Sequence, residues 1–246
     1  MVNTAQTRAS PSKHADLDTA ATSAPRRRLS AQTREQQIVE GATDFFARRG
    51  LDAQMRELAA ELGIAHTLLY HYFPTKRQLI ERVYEETIAG RWNPQWEALL
   101  DDARRPAQDK LHGFYRAYLA AILTPEWLRI LVHSGLSDSL IPNRYFALLR
   151  ERLFPRLLRE LRRHAGSRSR APATPREEAL LMSFHGGLIY HLGLWPLIYQ
   201  QRFTGADDPA LIDTFIADRV QGLLLQAALF VPSSTPRRAT PKPESR

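Results

Sequence analysis

The sequence predicts an all-α protein built as a small three-helix unit followed by a larger helical domain. Between residues 31 and 231 apolar residues recur at spacings of three and four, and no stretch keeps the alternation that a half-buried strand needs. Helix starts carry capping residues or first-turn prolines, and stops carry glycine or proline. No internal repeat divides the chain. Residues 1–30 are rich in Thr, Ala, Ser, Pro and Arg without an apolar period and read as a disordered basic arm; residues 232–246, "PSSTPRRATPKPESR", read as a second such tail. The expected organisation is an arm over 1–30, a first helical domain over 31–92, a second over 93–231 and a tail over 232–246.

The first helix is expected to open with a capping box of Thr33 and Gln36, to bury Ile38, Val39, Ala42, Phe45 and Phe46, and to stop at Gly50. Met55, Leu58, Ala59 and Leu62 have the spacing of a short buried helical face, and Gly63 follows where a tight turn favours positive φ. A third helix of about two turns is predicted from His66 to Phe73, ended by Pro74. Thr75 with Gln78 forms another capping box, opening a fourth helix whose inward residues are Leu79, Ile80, Val83 and Tyr84. Asn93 and Pro94 close this block. Further helices are predicted near 95–103, 106–123, 126–136, 143–164, 175–200 and 208–230. Pro106, Pro175 and Pro209 are placed as first-turn prolines, and Thr174 with Glu177 makes a third capping box. The stretch "AGSRSRAPAT", residues 165–174, is a surface loop or locally disordered.

The 246 residues contain no cysteine, which removes disulfides, zinc fingers, Fe–S clusters and thiol nucleophiles together and fits a cytoplasmic protein. The formal net charge of +8 is concentrated at the ends. Residues 1–31 hold five Lys/Arg against two Asp, and residues 232–246 hold four against one Glu. Residues 32–92 hold eight Lys/Arg against nine Asp/Glu, so placement rather than total charge must argue for an anionic partner.

Residues 54–73, a helix, a glycine turn and a second short helix, have the spacing of a helix-turn-helix. At 3.6 residues per turn, Leu69 and Phe73 share an inward face above Ile64, while His66 and Tyr70, flanked by Thr67 and His71, form an outward one. The inward group packs on Leu58 and Leu62. The outward group presents flat, polar-tipped side chains that can reach base edges or phosphates in a major groove. Lys76 stands in the first turn of the fourth helix, where the helix end is already positive, a placement that makes sense if a phosphate binds there.

Glycine turn, short aromatic helix, proline and capped lysine-bearing helix, in the words "RELAAELGIAHTLLYHYFPTKRQLI", resemble the N-terminal DNA-binding domain of the TetR/AcrR family of transcriptional regulators over about residues 33–84. The resemblance implies that Arg56, His66, Thr67 and Tyr70 face bases or nearby backbone, and that His71, Tyr72 and Lys76 mainly meet phosphates of duplex DNA. Ala65 stands where the family often has a serine cap, forgoing about 1 kcal/mol. Leu68 replaces a frequent Thr or Ser, and Ala53 and Gln54 replace the frequent Thr that caps the second helix. With a net charge of −1 these departures imply modest intrinsic affinity. The arginines at 26–28 either add phosphate or minor-groove contacts or belong to a solubilising tail.

The run "ALLMSFHGGLIYHLGLWPLIYQQ", residues 179–201, contains no charged Asp, Glu, Lys or Arg. Its histidines, glycines and interior Pro196 argue against a membrane span and for a helix buried on several sides. Gly186 and Gly187 would allow close helix approach. With "PALIDTFIADRVQGLLLQAALF" it resembles the last two helices by which the family forms homodimers as a four-helix bundle, placing two recognition helices one DNA turn apart on a palindrome. Phe114, Tyr118, Trp127, His133, Phe184, His191 and Trp195 are candidates to line a cavity for a small hydrophobic or aromatic effector; each is also compatible with plain core filling. "HGGL" at His185 lacks a G-x-S-x-G partner, no HExxH or carboxylate pair marks a metal, and no cofactor is indicated, so an enzyme is not expected. The expectation is a cytoplasmic, homodimeric, ligand-responsive regulator, more readily a repressor, binding a palindromic operator. An all-helical small-molecule-binding or interaction protein without DNA binding, and a membrane-associated helical protein, remain as alternatives.

Overall fold

The computed structural model describes residues 30–230, and among them there is no strand. Twelve α-helices follow in order: α1 (Ala31–Arg49), α2 (Met55–Glu61), α3 (His66–Tyr72), α4 (Lys76–Thr87), α5 (Pro94–Asp101), α6 (Ala107–Ile122), α7 (Pro125–Gly135), α8 (Leu140–Leu148), α9 (Phe154–His164), α10 (Pro175–Ile189), α11 (Trp195–Tyr199) and α12 (Pro209–Phe230). The all-α architecture is as the sequence predicts, and α1, α2, α3 and α4 match the expected helices closely.

Local signals explain most boundaries. Gly50 ends α1 at φ +84°, a left-handed value that favours glycine. The cap of α1 is not Thr33: Ser30 Oγ accepts from the Thr33 N–H at 3.1 Å, three residues earlier than expected, because Ser30 is the last residue in extended geometry. The Thr75 and Thr174 boxes form as predicted, with Thr75 Oγ1 accepting from Gln78 N–H at 3.2 Å and Thr174 Oγ1 from Glu177 N–H at 3.2 Å. Pro106 is the residue before α6 rather than its first turn, whereas Pro94, Pro125, Pro175 and Pro209 all open helices. Asn93 caps α5 by accepting from Gln95 N–H at 2.9 Å, so "NP" starts a helix as well as closing a block.

Two predicted helices proved to be continuous helical runs with a wide turn inside. α8 passes into α9 through a π turn over Leu149–Leu153, and α10 passes into α11 through one over Tyr190–Leu194. Each ends two residues before a proline, at Pro155 and Pro196. A proline inside a helix removes one N–H and crowds the carbonyl four residues back; five-residue spacing, as in the bond from Trp195 N–H to Tyr190 O, moves that carbonyl aside. Pro196 and the π turn also break the long uncharged run, and among the described residues no helix is long and apolar enough to cross a membrane.

α1 packs on α4 and α7, α12 on α6 and α9, and α10 on α9 and α12. The core beyond α5 is dominated by rings. Trp92, Trp96, Phe114, Tyr115 and Tyr118 meet at centroid distances of 4.9–6.4 Å, mostly edge to face with Phe114 and Tyr118 stacked, and Trp127, Tyr145, Phe154 and Phe184 extend the cluster. Inside it His185 lies with Nε2 2.8 Å from the Tyr145 hydroxyl, which is 2.8 Å from that of Tyr118, and with Nδ1 3.4 Å from that of Tyr115. Burial holds the His185 imidazole down at about 3, so the ring is neutral, one nitrogen donating and the other accepting. Burial also raises all three phenols, so the network is uncharged.

The loop over residues 165–174 is more ordered than its composition suggests. Arg162, buried, donates to Ala171 O at 2.6 Å and Pro172 O at 3.2 Å while holding both Glu177 oxygens at 2.8 and 2.7 Å. Arg162, foremost, holds the Glu177 carboxyl down at about 2.

Candidate nucleic-acid interface

α2, the Gly63 turn and α3 form a helix-turn-helix held on α1 and α4. Gly63 has φ +62°, and a Cβ there would touch nothing within 4 Å, so backbone geometry rather than space calls for glycine. Leu69 is the buried residue of α3, Phe73 is buried just beyond it, and both join Leu58, Ala59 and Leu79 in the core. The division of the aromatics expected from periodicity is therefore present. His66, Thr67, Tyr70 and His71 are exposed, with Tyr70 at 40%. His66 and Tyr70 meet edge-on at 4.6 Å, one helical turn apart, which fixes the Tyr70 ring against the start of α3.

The remaining candidates occupy less uniform positions. Arg56 is exposed on α2 and makes no ion pair among the described residues. Tyr72 is half-buried, packed against the core with its ring 5.4 Å from His71, and only part of it is free for a partner. Lys76 is half-buried in a crevice of about 460 Å³ shared with Asp52, Arg77, Ser137 and Asn143. From residue 62 to residue 80 there is no Asp or Glu, so α3 and its flanking turns carry no acidic side chain of their own. Ala65 contributes no cap to α3, as expected. α2 is better served than its sequence suggests, since Glu57 accepts from Gln54 N–H at 3.2 Å.

Sequence reasoning missed the joint between α4 and α8. Arg144 reaches Glu81 at 2.9 Å and Glu85 at 3.8 Å, with its guanidinium 5.7 Å from the Tyr84 ring centroid. Ser137 Oγ donates to Asp52 at 2.8 Å, and His133 lies under Gly50, where a Cβ would come within 3.3 Å of its Nδ1. These pairs join residues up to 85 positions apart, and nothing local marks them.

Of the effector candidates, Phe114, Tyr118, Trp127 and Phe184 are buried in the ring cluster, their mutual stacking filling the space expected between them. His133 is at the α1–α7 junction, His191 Nδ1 is 2.8 Å from Gly187 O, and Trp195 is 37% exposed. None of the seven lines the cavities described here. Among the described residues no group of His, Asp or Glu could hold a metal ion.

Residues 38–83 match the family model described as bacterial regulatory proteins, tetR family. The chain is 33% identical over 91 residues to the HTH-type transcriptional repressor KstR2 of Mycolicibacterium smegmatis, and 35% identical over 65 residues to the HTH-type transcriptional regulator LuxR of Vibrio harveyi. These alignments take in 37% and 26% of this chain, and the chain spans 43% and 32% of those relatives, less than half of either. A tetR-family transcriptional regulator from Streptomyces coelicolor, known from its crystal structure, shares the fold with a TM-score of 0.51 at 20% identity, over 85% of this chain and 94% of that one. The matched segment runs from α1 through α4 and contains the glycine turn and the outward ring face of α3, so over residues 38–83 the chain is similar to the bacterial regulatory proteins of the tetR family.

Proposed function

We propose that the protein is a cytoplasmic transcriptional repressor that binds a palindromic operator as a homodimer and releases it when a small effector is bound. The carrying observation is the outward face of α3: His66, Thr67, Tyr70 and His71 lie exposed on a helix docked from behind by Leu69 and Phe73, in a 19-residue stretch without acidic side chains. In this reading residues 31–92 form the DNA-binding domain and residues 93–231 the regulatory one. Arg56, His66, Thr67 and Tyr70 meet bases or nearby backbone, and His71, Tyr72 and Lys76 meet phosphates. The repressor KstR2, matched over part of its length, supports repression over activation.

Homodimerisation is supported by an exposed apolar seam. Leu211, Leu225 and Leu229 lie along one side of α12, and Ile198, Tyr199 and Trp195 near the end of α11. Gly186 and Gly222 each have open space where a Cβ would stand, which would allow a second copy of α10 and α12 to come close. The arginines at 26–28 lie outside the described residues.

Binding of duplex fragments from upstream of the protein's own gene tests the reading, measured for wild type, Tyr70→Ala and Lys76→Ala at two salt concentrations. Loss of one phosphate contact should flatten the log affinity against log salt plot by about 0.9. Salt-independent binding, or variants that bind like wild type, would leave an all-helical ligand-binding protein as the better reading.

A further inference from the structure

Between α9, the start of α10 and the loop over residues 165–174 lies a cavity of about 690 Å³, a size suited to a small molecule. Phe154, Leu158 and Leu181 give it an apolar floor. Its loop wall is fastened from inside by the buried Arg162, which ties the Ala171 and Pro172 carbonyls to Glu177, so the wall is braced without leaving a free charge there. The rim carries Arg150, Arg159 and Arg170 against one carboxylate, Glu178.

The rim guanidinia are only loosely engaged. Arg150 meets Glu178 at 2.8 Å with both side chains about half exposed, and exposed pairs of this kind hold weakly. Arg159 shares Asp101 with Arg156, so one carboxylate serves two guanidinia. Arg170 is exposed and makes no ion pair among the described residues. Each can turn to a planar anion, which guanidinium binds with two parallel hydrogen bonds.

We propose that this cavity is a binding site for a small amphipathic anion, its apolar chain or ring on Phe154, Leu158 and Leu181 and its carboxylate or phosphate on the rim arginines. Taken with the regulator reading, on which this last step rests, it is the effector site. Its floor begins where the π turn over Leu149–Leu153 ends, on the same helical run as Arg144, which holds α4 through Glu81. Drawing Arg150 away from Glu178 bears directly on that run, at its adjustable turn.

Isothermal titration of the full chain with decanoate, decyl phosphate, 1-decanol and decyltrimethylammonium, each below its micelle concentration, tests the site. We expect 1:1 binding of one or both anions, at least about tenfold tighter than the alcohol, and none of the cation; the two anions distinguish carboxylate from phosphate recognition. Arg159→Ala with Arg170→Ala should weaken the anions about tenfold and leave the alcohol unchanged. Ala173→Trp, at an exposed loop position in the cavity lining, should fill the cavity and abolish all binding with the helical circular dichroism unaltered. Alcohol binding as tight as the anions, no binding at all, or variants that titrate like wild type would overturn the proposal. DNA binding assayed on the same samples separates the two claims: ligand-free protein that retards DNA but binds no anion removes the site alone, and anion binding without DNA binding removes the regulator reading alone.

Discussion

In α3, the rings of His66, Tyr70 and His71 stand exposed on a helix only seven residues long, whereas in α6, α8 and α10 the rings of Tyr115, Tyr118, Tyr145 and His185 are buried and bonded to one another. The same residue types therefore serve two ends. Outside, a polar-tipped ring keeps its hydrogen-bonding edge free for a partner and adds little to folding. Inside, the same edge has to be satisfied within the protein, and removing one member strands the others.

The largest expected effect tests the inner network. His185→Ala deletes a buried ring and leaves the Tyr145 hydroxyl with Tyr118 alone, so we expect a loss of about 3–5 kcal/mol in urea unfolding. A loss below about 1 kcal/mol would mean that the cluster repacks and that its hydrogen bonds contribute little. The network also predicts a pH dependence. His185 is held at about 3 in the fold against 6.5 in the unfolded chain, so below 6.5 the unfolded state binds a proton that the fold refuses. Stability is then fully present above pH 6.5 and falls by about 1.4 kcal/mol per pH unit as pH drops from there toward 3. Below about 4.5 Glu177 adds to the fall, because its carboxyl protonates in the unfolded state while Arg162 keeps it ionised in the fold down to about 2. In His185→Phe the slope between pH 6.5 and 4.5 should vanish.

Tyr70→Ala carries the comparison outward and should show the opposite pattern. Tyr70 is 40% exposed and its only ring neighbour of note is His66, so unfolding should change by less than about 1 kcal/mol. Operator affinity, in contrast, should fall by about 1–3 kcal/mol, about five- to 150-fold, measured by fluorescence anisotropy at fixed salt. Arg144→Ala lies between the two. Its pairs with Glu81 and Glu85 are partly exposed, so stability should drop by no more than about 1 kcal/mol, while hydrogen exchange along α4 should quicken because its tie to α8 is gone.

The sequence was legible where structure is set within a few residues. Gly50, Gly63, Pro74 and the Thr75 and Thr174 boxes fixed helix ends, and the 3.6-residue period divided Leu69 from Tyr70 without any knowledge of the fold. It was silent where partners are distant. Nothing near Arg144 announces Glu81, and nothing near His185 announces that Tyr115, Tyr118 and Tyr145 will surround it, which is why Phe114, Tyr118, Trp127 and Phe184 could be read as cavity lining when their rings in fact close on one another. Nothing local in the sequence sets apart the arginines of residues 150–170; only the return of the loop onto α9 gathers three of them at one rim.

The smallest effect concerns the start of α3. Ala65 has φ −64° and ψ 136°, the extended geometry of a cap, is exposed, and offers no side-chain acceptor, while its carbonyl already receives Leu68 N–H at 2.9 Å. A serine would fit that backbone unchanged and its Oγ could take an N–H of the first turn, so Ala65→Ser should stabilise the protein by about 0.5–1 kcal/mol in thermal or urea unfolding. Because a seven-residue helix has barely enough internal bonds to hold itself, the gain should appear mainly as slower hydrogen exchange in α3, leaving α6 and α10 untouched. If stability rises but operator affinity does not, α3 is already ordered by Leu69 and Phe73 before DNA arrives. If both rise together, part of the affinity is spent on ordering α3, and its missing cap is a reason this helix binds less tightly than its outward face allows.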